Sequence, residues 1–158
     1  MKKIINPYDS ELNLCFGCSQ KNPIGLKLQF EESDDFLHAS WKPNEVYQGY
    51  MNILHGGIIA ALLDEIGAWC VSVKIGTAGV TSEMTTKYLS PVFINKGTIT
   101  LRASIAGKTQ KNAVINCFLY DGQSKLCAEA VASYFIYPPE IAVRKFKYPG
   151  REAFYEKE

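Results

Sequence analysis

Hydrophobic and polar positions change their period twice along this chain. Leu26, Leu28 and Phe30 alternate with Lys27, Gln29 and Glu31, the signature of a half-buried strand. Glu32-Ser33-Asp34-Asp35 reads as a turn, and Phe36 to Trp41 as the returning strand. After a loop over 42–54, rich in Pro43, Asn44, Gly49 and Asn52, the period becomes helical. From His55 to Val73, Ile58, Leu62, Ile66 and Trp69 recur on one face, and Ile59, Leu63, Ile66 and Cys70 on the next. Asp64 and Glu65 are the only acidic residues of that stretch, so the helix is apolar on nearly every side and must be buried. Gly76 is placed to end it.

Beyond Gly79 the period returns to two. Val80 to Tyr88 reads as a strand that stops at Ser90-Pro91. In the next strand, Ile99, Leu101, Ala103 and Ile105 face one way and Thr98, Thr100, Arg102 and Ser104 the other. Asn112 to Tyr120 and Lys125 to Tyr137 follow, joined by the hairpin signal Asp121-Gly122. The pattern predicts an α+β fold in which an antiparallel sheet of about six strands wraps one long helix. Residues 1–23 are a polar, turn-rich N-terminal segment, 24–137 the folded domain, and 138–158 a tail, irregular or short helical.

Length and charge narrow the function. At 158 residues the chain fits one domain, and a chain of this size buries roughly 70% of its unfolded surface. Seventeen basic against sixteen acidic residues, a net charge of +1, argue against nucleic acid as a partner and against a polybasic membrane patch. No apolar run is long enough to span a membrane, and the first residues carry no apolar signal core, so the sequence points to the cytoplasm. Five cysteines, an odd number with three in apolar runs, agree with a reducing compartment.

The candidate chemistry sits at the helix. His55-Gly56-Gly57 opens it, and two glycines there let the free N–H groups, with the helix dipole behind them, approach an oxygen that gains negative charge. Asp64 is a carboxylate among apolar side chains, so it needs a partner or a task, such as general base. Eight residues separate Gly56 from Asp64, about 12 Å at 1.5 Å per residue, too far for both to touch one carbonyl. Two helices set antiparallel about a two-fold axis would bring Gly56 of one copy beside Asp64 of the other. The same residues also read structurally: Gly-Gly as a helix-start turn, Asp64 bonded to a strand hydroxyl, His55 as a satisfied histidine.

His55-Gly56-Gly57, then six residues, then Asp64-Glu65, preceded by Gln48-Gly49-Tyr50 and followed by Thr81 to Pro91, resembles the hotdog-fold acyl-CoA thioesterases of the PaaI type. Cys15-Phe16-Gly17-Cys18, with Asn22-Pro23 and Gly25-Leu26, is similar to an N-terminal signature of that group. The resemblance runs from about residue 15 to 137. It implies hydrolysis of an acyl-CoA thioester by a dimer or tetramer, with no cofactor and no metal. It casts Gly56 as backbone donor to the thioester oxygen, Asp64 of the facing subunit as general base or nucleophile, and His55 and Gly57 as supports of the substrate loop. Thr81 or Ser82 would place a hydroxyl near the water. Where members often carry Asn or Gln, seven residues before Gly56, this chain has Gly49, with Gln48 beside it: either Gln48 substitutes or the contact is missing. The alternatives are a non-catalytic acyl-thioester binding module and an acyl-thioester hydratase or dehydratase, whose catalytic histidine occurs at other spacings.

Cys15-x2-Cys18 supplies two of the four ligands a structural zinc wants, with no second pair, so it reads as a tight turn with two semi-buried thiols. Glu65 points about 100° away from Asp64 and reads as structural. Cys70, Cys117 and Cys127 read as core, and Tyr134, Phe135 and Tyr137 as core or interface aromatics. Lys87, Arg102, Lys108 and Lys111 are candidates for the CoA phosphates by location. No nucleophile-elbow, Walker or dinucleotide motif occurs.

Overall fold

Residues 1–157 are described by a computed structural model. Its elements are β1 (Lys2–Ile4), β2 (Gln29–Glu32), β3 (Leu37–Trp41), α1 (Gly56–Cys70), β4 (Gly79–Tyr88), β5 (Ile99–Lys108), β6 (Asn112–Tyr120), β7 (Leu126–Ile136) and α2 (Pro139–Phe146). The strands form one antiparallel seven-stranded sheet in the order β1-β2-β3-β5-β6-β7-β4. One face of it wraps α1. This is the sheet around one helix expected from the period changes, and the hotdog arrangement that the resemblance implies, with one strand more than the six anticipated. The addition, β1, lies in the N-terminal segment and pairs through Ile4 opposite Phe30. Three residues carry too little pattern to be read as a strand.

Small side chains let the helix lie close to the sheet. Ala128, Ala130 and Ala132 of β7 face it, alternating with outward Glu129 and Val131, and Leu62, Leu63, Ile66 and Cys70 bury completely against them and against Leu101, Ile115 and Cys117. Each fully buried Leu or Ile contributes roughly 1.5–3 kcal/mol. Ile105, the fourth of the expected inward set, is exposed beside a register shift at Ile105/Gly107. After Cys70 the helix widens into a π turn over Val71–Ile75 and stops at Gly76 (φ 83°), whose N–H donates to Val71 O at 3.1 Å.

Two sequence readings change. Leu26 and Leu28 are buried as expected, but the strand begins only at Gln29. Their N–H groups donate to Phe16 O (2.7 Å) and Gly17 O (2.9 Å), and Trp41 Nε1 donates to Leu26 O (2.8 Å), so this backbone serves the Cys15–Cys18 turn rather than a sheet ladder. At the β6–β7 turn, the left-handed residue is Ser124 (φ 61°), not Gly122. Asp121 Oδ1 organises the turn by accepting from the N–H groups of Gln123 and Lys125, both at 2.9 Å. Gly122 is needed for another reason: a Cβ there would fall 1.8 Å from Lys96 O.

The tail combines α2 with a 3₁₀ turn, Arg151–Phe154, and reaches the core. Phe154 is fully buried, edge-on to Trp69 at 5.5 Å, and Trp69 stacks on Phe30 at 4.2 Å. Glu32 holds the tail and the helix end together: it meets Lys74 Nζ at 2.9 Å and Arg151 at 3.5 Å, and accepts from the Tyr155 hydroxyl at 2.6 Å. No described helix is long and apolar enough to cross a membrane, and all five cysteines are free thiols.

Candidate active site

The first turn of α1 decides which N–H is available. His55 is the N-cap: its backbone is extended (φ −61°, ψ 134°), and its Nδ1 accepts from Gly57 N–H at 2.9 Å. That role puts the ring proton of the neutral imidazole on Nε2. The N–H groups of Ile58 and Ile59 both donate to His55 O, at 3.0 and 3.1 Å. The Ile59 bond is the first regular turn of the helix. Of the four donors an α-helix leaves open at its start, His55 N–H donates to Tyr47 O at 3.0 Å and those of Gly57 and Ile58 are spent as above, so that of the four Gly56 N–H alone has no partner among the described residues. A Cβ on Gly57 would lie 3.1 Å from His55 Nδ1 and crowd the cap. Two shallow grooves flank His55, one lined by Gly49, Tyr50, Ile53, Leu54 and Gly56, the other by Val46, Tyr47, Gln48, Gly57 and Ile58.

The preceding loop is shaped by its own polar groups. Gln48 Oε1 accepts from Asn52 N–H at 3.0 Å, stabilising Asn52 in the left-handed region (φ 62°), and Gly49 N–H donates to Ile53 O at 2.8 Å. Gln48 therefore braces the loop through its oxygen and keeps its amide N–H groups for another partner. Tyr88, at the end of β4, donates its hydroxyl to Gly56 O at 2.9 Å, and a Cβ on Gly56 would meet its ring at 3.5 Å. The sequence reading placed Tyr88 in the strand end that carries the resemblance, Tyr88-Leu89-Ser90-Pro91, but gave it no role at the helix start.

Asp64 lies two turns along. Its Oδ1 accepts from Thr81 Oγ1 at 2.8 Å and from the Tyr134 hydroxyl at 3.1 Å, while Oδ2 has no partner among the described residues. The Tyr134 hydroxyl also donates to Asp64 O at 3.0 Å. Burial first, and the nearby Asp64 charge second, push the Tyr134 phenol well above its ordinary value, so it remains a donor. Gly67 makes this contact possible, since a Cβ there would sit 2.3 Å from the Tyr134 oxygen. Tyr134 had read as a core aromatic. It is fully buried, and its hydroxyl is also the second anchor of Asp64.

A β-bulge sends Thr81 and Ser82 to different partners. Thr81 opposes Tyr134 and Glu83 opposes Ser133, so Ser82 is the extra residue. The bulge shifts the phase of β4 and turns Thr81 to the helix side, the side of Met84, Thr86 and Tyr88. Ser82 instead donates to Ser133 O at 3.0 Å.

Glu65 leaves α1 on another side. Its Oε1 accepts from Trp69 Nε1 at 3.1 Å and from the Cys15 thiol at 3.5 Å. Burial, and then Cys15, push its carboxyl up to about 7. The four basic residues proposed for phosphates do not gather at the helix start: Lys87 opposes Glu129, Arg102 lies over the Tyr120 ring at 5.2 Å, and Lys108 and Lys111 flank the β5–β6 turn. No Lys or Arg lines either groove beside His55.

With this geometry in view, the family profile described as the Thioesterase superfamily matches residues 51–128, from the loop before His55 to the start of β7. A candidate esterase of Saccharolobus solfataricus, SSO1253, is 30% identical over 117 residues, 73% of this chain and 76% of that one. The chain belongs to the thioesterase superfamily. Among solved structures, the Escherichia coli PaaI protein of the phenylacetic acid degradation operon is similar with a TM-score of 0.65 at 22% identity, covering 72% of this chain and 82% of that one. A hypothetical thioesterase of Streptococcus pneumoniae, solved with coenzyme A, is similar with a TM-score of 0.64 at 18% identity, covering 71% and 90%. At these identities the structures speak for the shared fold.

Proposed function

We propose that this protein hydrolyses an acyl-CoA thioester to the free acid and CoA, at sites built between two copies of the chain. The observation that carries the reading is the pairing of one open N–H, at Gly56, with one open carboxylate oxygen, Asp64 Oδ2, on a single helix. Separated by about 12 Å, they serve one thioester only if each comes from a different copy. The edge strand β4 supports this arrangement. It is ten residues long, ends the sheet and leaves Val80, Tyr88 and the following Leu89 exposed, a surface that favours pairing with another copy.

In this reading the thioester carbonyl oxygen accepts from Gly56 N–H, which stabilises the oxyanion as it forms. Asp64 of the facing copy takes a proton from water through Oδ2 while Thr81 and Tyr134 fix Oδ1. The water oxygen bonds to the carbonyl carbon, the C–S bond breaks, and the thiolate leaves and takes up the proton. His55 holds the donor turn, with Gly57 tied to it. Gln48 offers its amide N–H groups to the substrate, and Ser82 shapes the bulge that aims Thr81. No cofactor enters. Coenzyme A in the streptococcal relative supports CoA as the carrier, and five free thiols fit a reducing, cytoplasmic setting.

The test is thiol release from a panel of acyl-CoAds of different chain length and aromaticity, by wild type, Asp64→Asn and Asp64→Ala. We expect turnover of at least one acyl-CoA, lost in both variants. Tight binding without turnover by the wild type would instead make the protein an acyl-thioester binding module.

A further inference from the structure

The Cys15–Cys18 turn and Glu65 are not used by the reaction proposed above, yet they form the most unusual cluster in the fold. The two Sγ atoms and a Glu65 carboxylate oxygen all lie within 4.8 Å of one another. We propose that Cys15, Cys18 and Glu65 bind one divalent metal ion of the zinc class, fastening the N-terminal segment to α1. This inference does not rest on the thioesterase reading.

Three observations carry it. The first is distance. For tetrahedral zinc with bonds of roughly 2.3 Å to sulfur and 2.0 Å to oxygen, the sulfur–oxygen edge is about 3.5 Å. Cys15 Sγ stands 3.5 Å from Glu65 Oε1. The second is preorganisation. Ser19 N–H donates to Cys15 O at 3.1 Å, and the Leu26 and Leu28 N–H groups close on Phe16 O and Gly17 O, so the turn is fixed by its own backbone. Gly17 makes room for the carboxylate: a Cβ there would lie 2.2 Å from Glu65 Cδ. Trp69 Nε1 holds Oε1 from behind, the outer contact that orients a metal-ligating carboxylate.

The third is charge. Two thiolates and a carboxylate make an anionic set, and no Lys, Arg or His forms an ion pair with Glu65 among the described residues. A divalent cation supplies the missing positive charge, displacing the thiol protons as it binds. Two sulfurs select a soft or borderline ion over Mg²⁺ or Ca²⁺. Cys15 is only half-buried, which leaves the fourth position to water. The sequence showed two ligands because the third is distant along the chain and adjoins Asp64.

The experiment is titration of the reduced, metal-stripped full-length protein with Co²⁺, followed by the thiolate-to-cobalt charge-transfer absorption, then displacement by Zn²⁺ against a chromophoric chelator. We expect one equivalent per chain, no displacement by Mg²⁺, and a higher Tm with Zn²⁺. Cys15→Ser and Cys18→Ser should abolish the absorption, and Glu65→Gln should weaken Zn²⁺ at least about tenfold, as loss of even an outer contact does. Absence of the absorption in the wild type overturns the proposal without recourse to any variant. So does an undiminished signal in both serine variants, which would place the ligands among Cys70, Cys117 and Cys127. Unchanged Zn²⁺ affinity in Glu65→Gln would remove the carboxylate from the site.

Discussion

Asp64 and Glu65 are consecutive carboxylates on one helix, and their surroundings have little in common. Asp64 meets hydroxyl groups from two strands, which hold one oxygen and leave the other open. Glu65 meets an indole N–H and a thiol from the N-terminal segment, and burial raises its pKa. The difference follows from a rotation of 100° per residue, which sends neighbours to separate environments. One side of α1 holds one carboxylate oxygen between two hydroxyl groups and leaves the other open, and the other side ties down a long loop. Each side uses a glycine to admit its partner: Gly67 admits the Tyr134 hydroxyl, and Gly17 makes room for the Glu65 carboxyl.

The sharpest way to break this division is to neutralise each carboxylate in turn. Asp64→Asn should lower the rate of thiol release by about 10²- to 10⁴-fold, the range of general-base catalysis, with its thermal midpoint shifted by a few degrees at most. An equal loss of rate in a folded Glu65→Gln protein would show that the two sides do not divide the work.

The glycines give the next largest effect. Gly67→Ala drives a Cβ against a fully buried phenol and should cost about 1–3 kcal/mol in urea unfolding. Gly17→Ala meets the end of a flexible side chain and should cost less. The reverse order would mean that the Glu65 side is the more rigid.

At the helix start, His55→Ala removes the cap on Gly57 N–H and should cost about 1 kcal/mol. His55→Asn, which keeps a capping acceptor, should recover most of that loss in the same unfolding assay.

Glu32 provides the smallest effect and a contrast to both, because it has cationic partners. Burial opposes its ionisation, but the Tyr155 hydroxyl, Lys74 and Arg151 outweigh that and hold its pKa below the ordinary carboxylate value. A carboxyl depressed in the folded state contributes stability that is present above its unfolded pKa and lost as pH falls through the folded one. Wild-type stability should therefore drop below about pH 4.5, and Glu32→Gln should flatten that part of the profile while leaving the neutral-pH activity of the Asp64 side alone.

The sequence was most informative where a periodic pattern ran long. The central helix, its burial and the four strands after it follow from alternation that tertiary contacts had no reason to override. His55, Gly56 and Asp64 stood out for the same reason, as polar or backbone-exposing residues set against an apolar helix. The failures share a different cause. β1 is short, Leu26 and Leu28 alternate like a strand while their backbone serves a turn, and Thr81 could not be told from Ser82 because a single bulge residue reverses the phase of β4. Tyr134 looked like core because it is core, and nothing in its neighbours reveals that its hydroxyl ends on Asp64.

By itself, then, the sequence determined which segments bury, the helix that carries Gly56 and Asp64, and the eight residues that separate them along it. Tertiary structure alone decided which N–H stays free, which hydroxyls hold Asp64, and that Glu65 joins Cys15 and Cys18 across fifty residues of chain. Periodicity is local and survives in the sequence. A hydrogen bond or a ligand set depends on where distant backbones cross, and a shift of one residue in register redirects every side chain that follows.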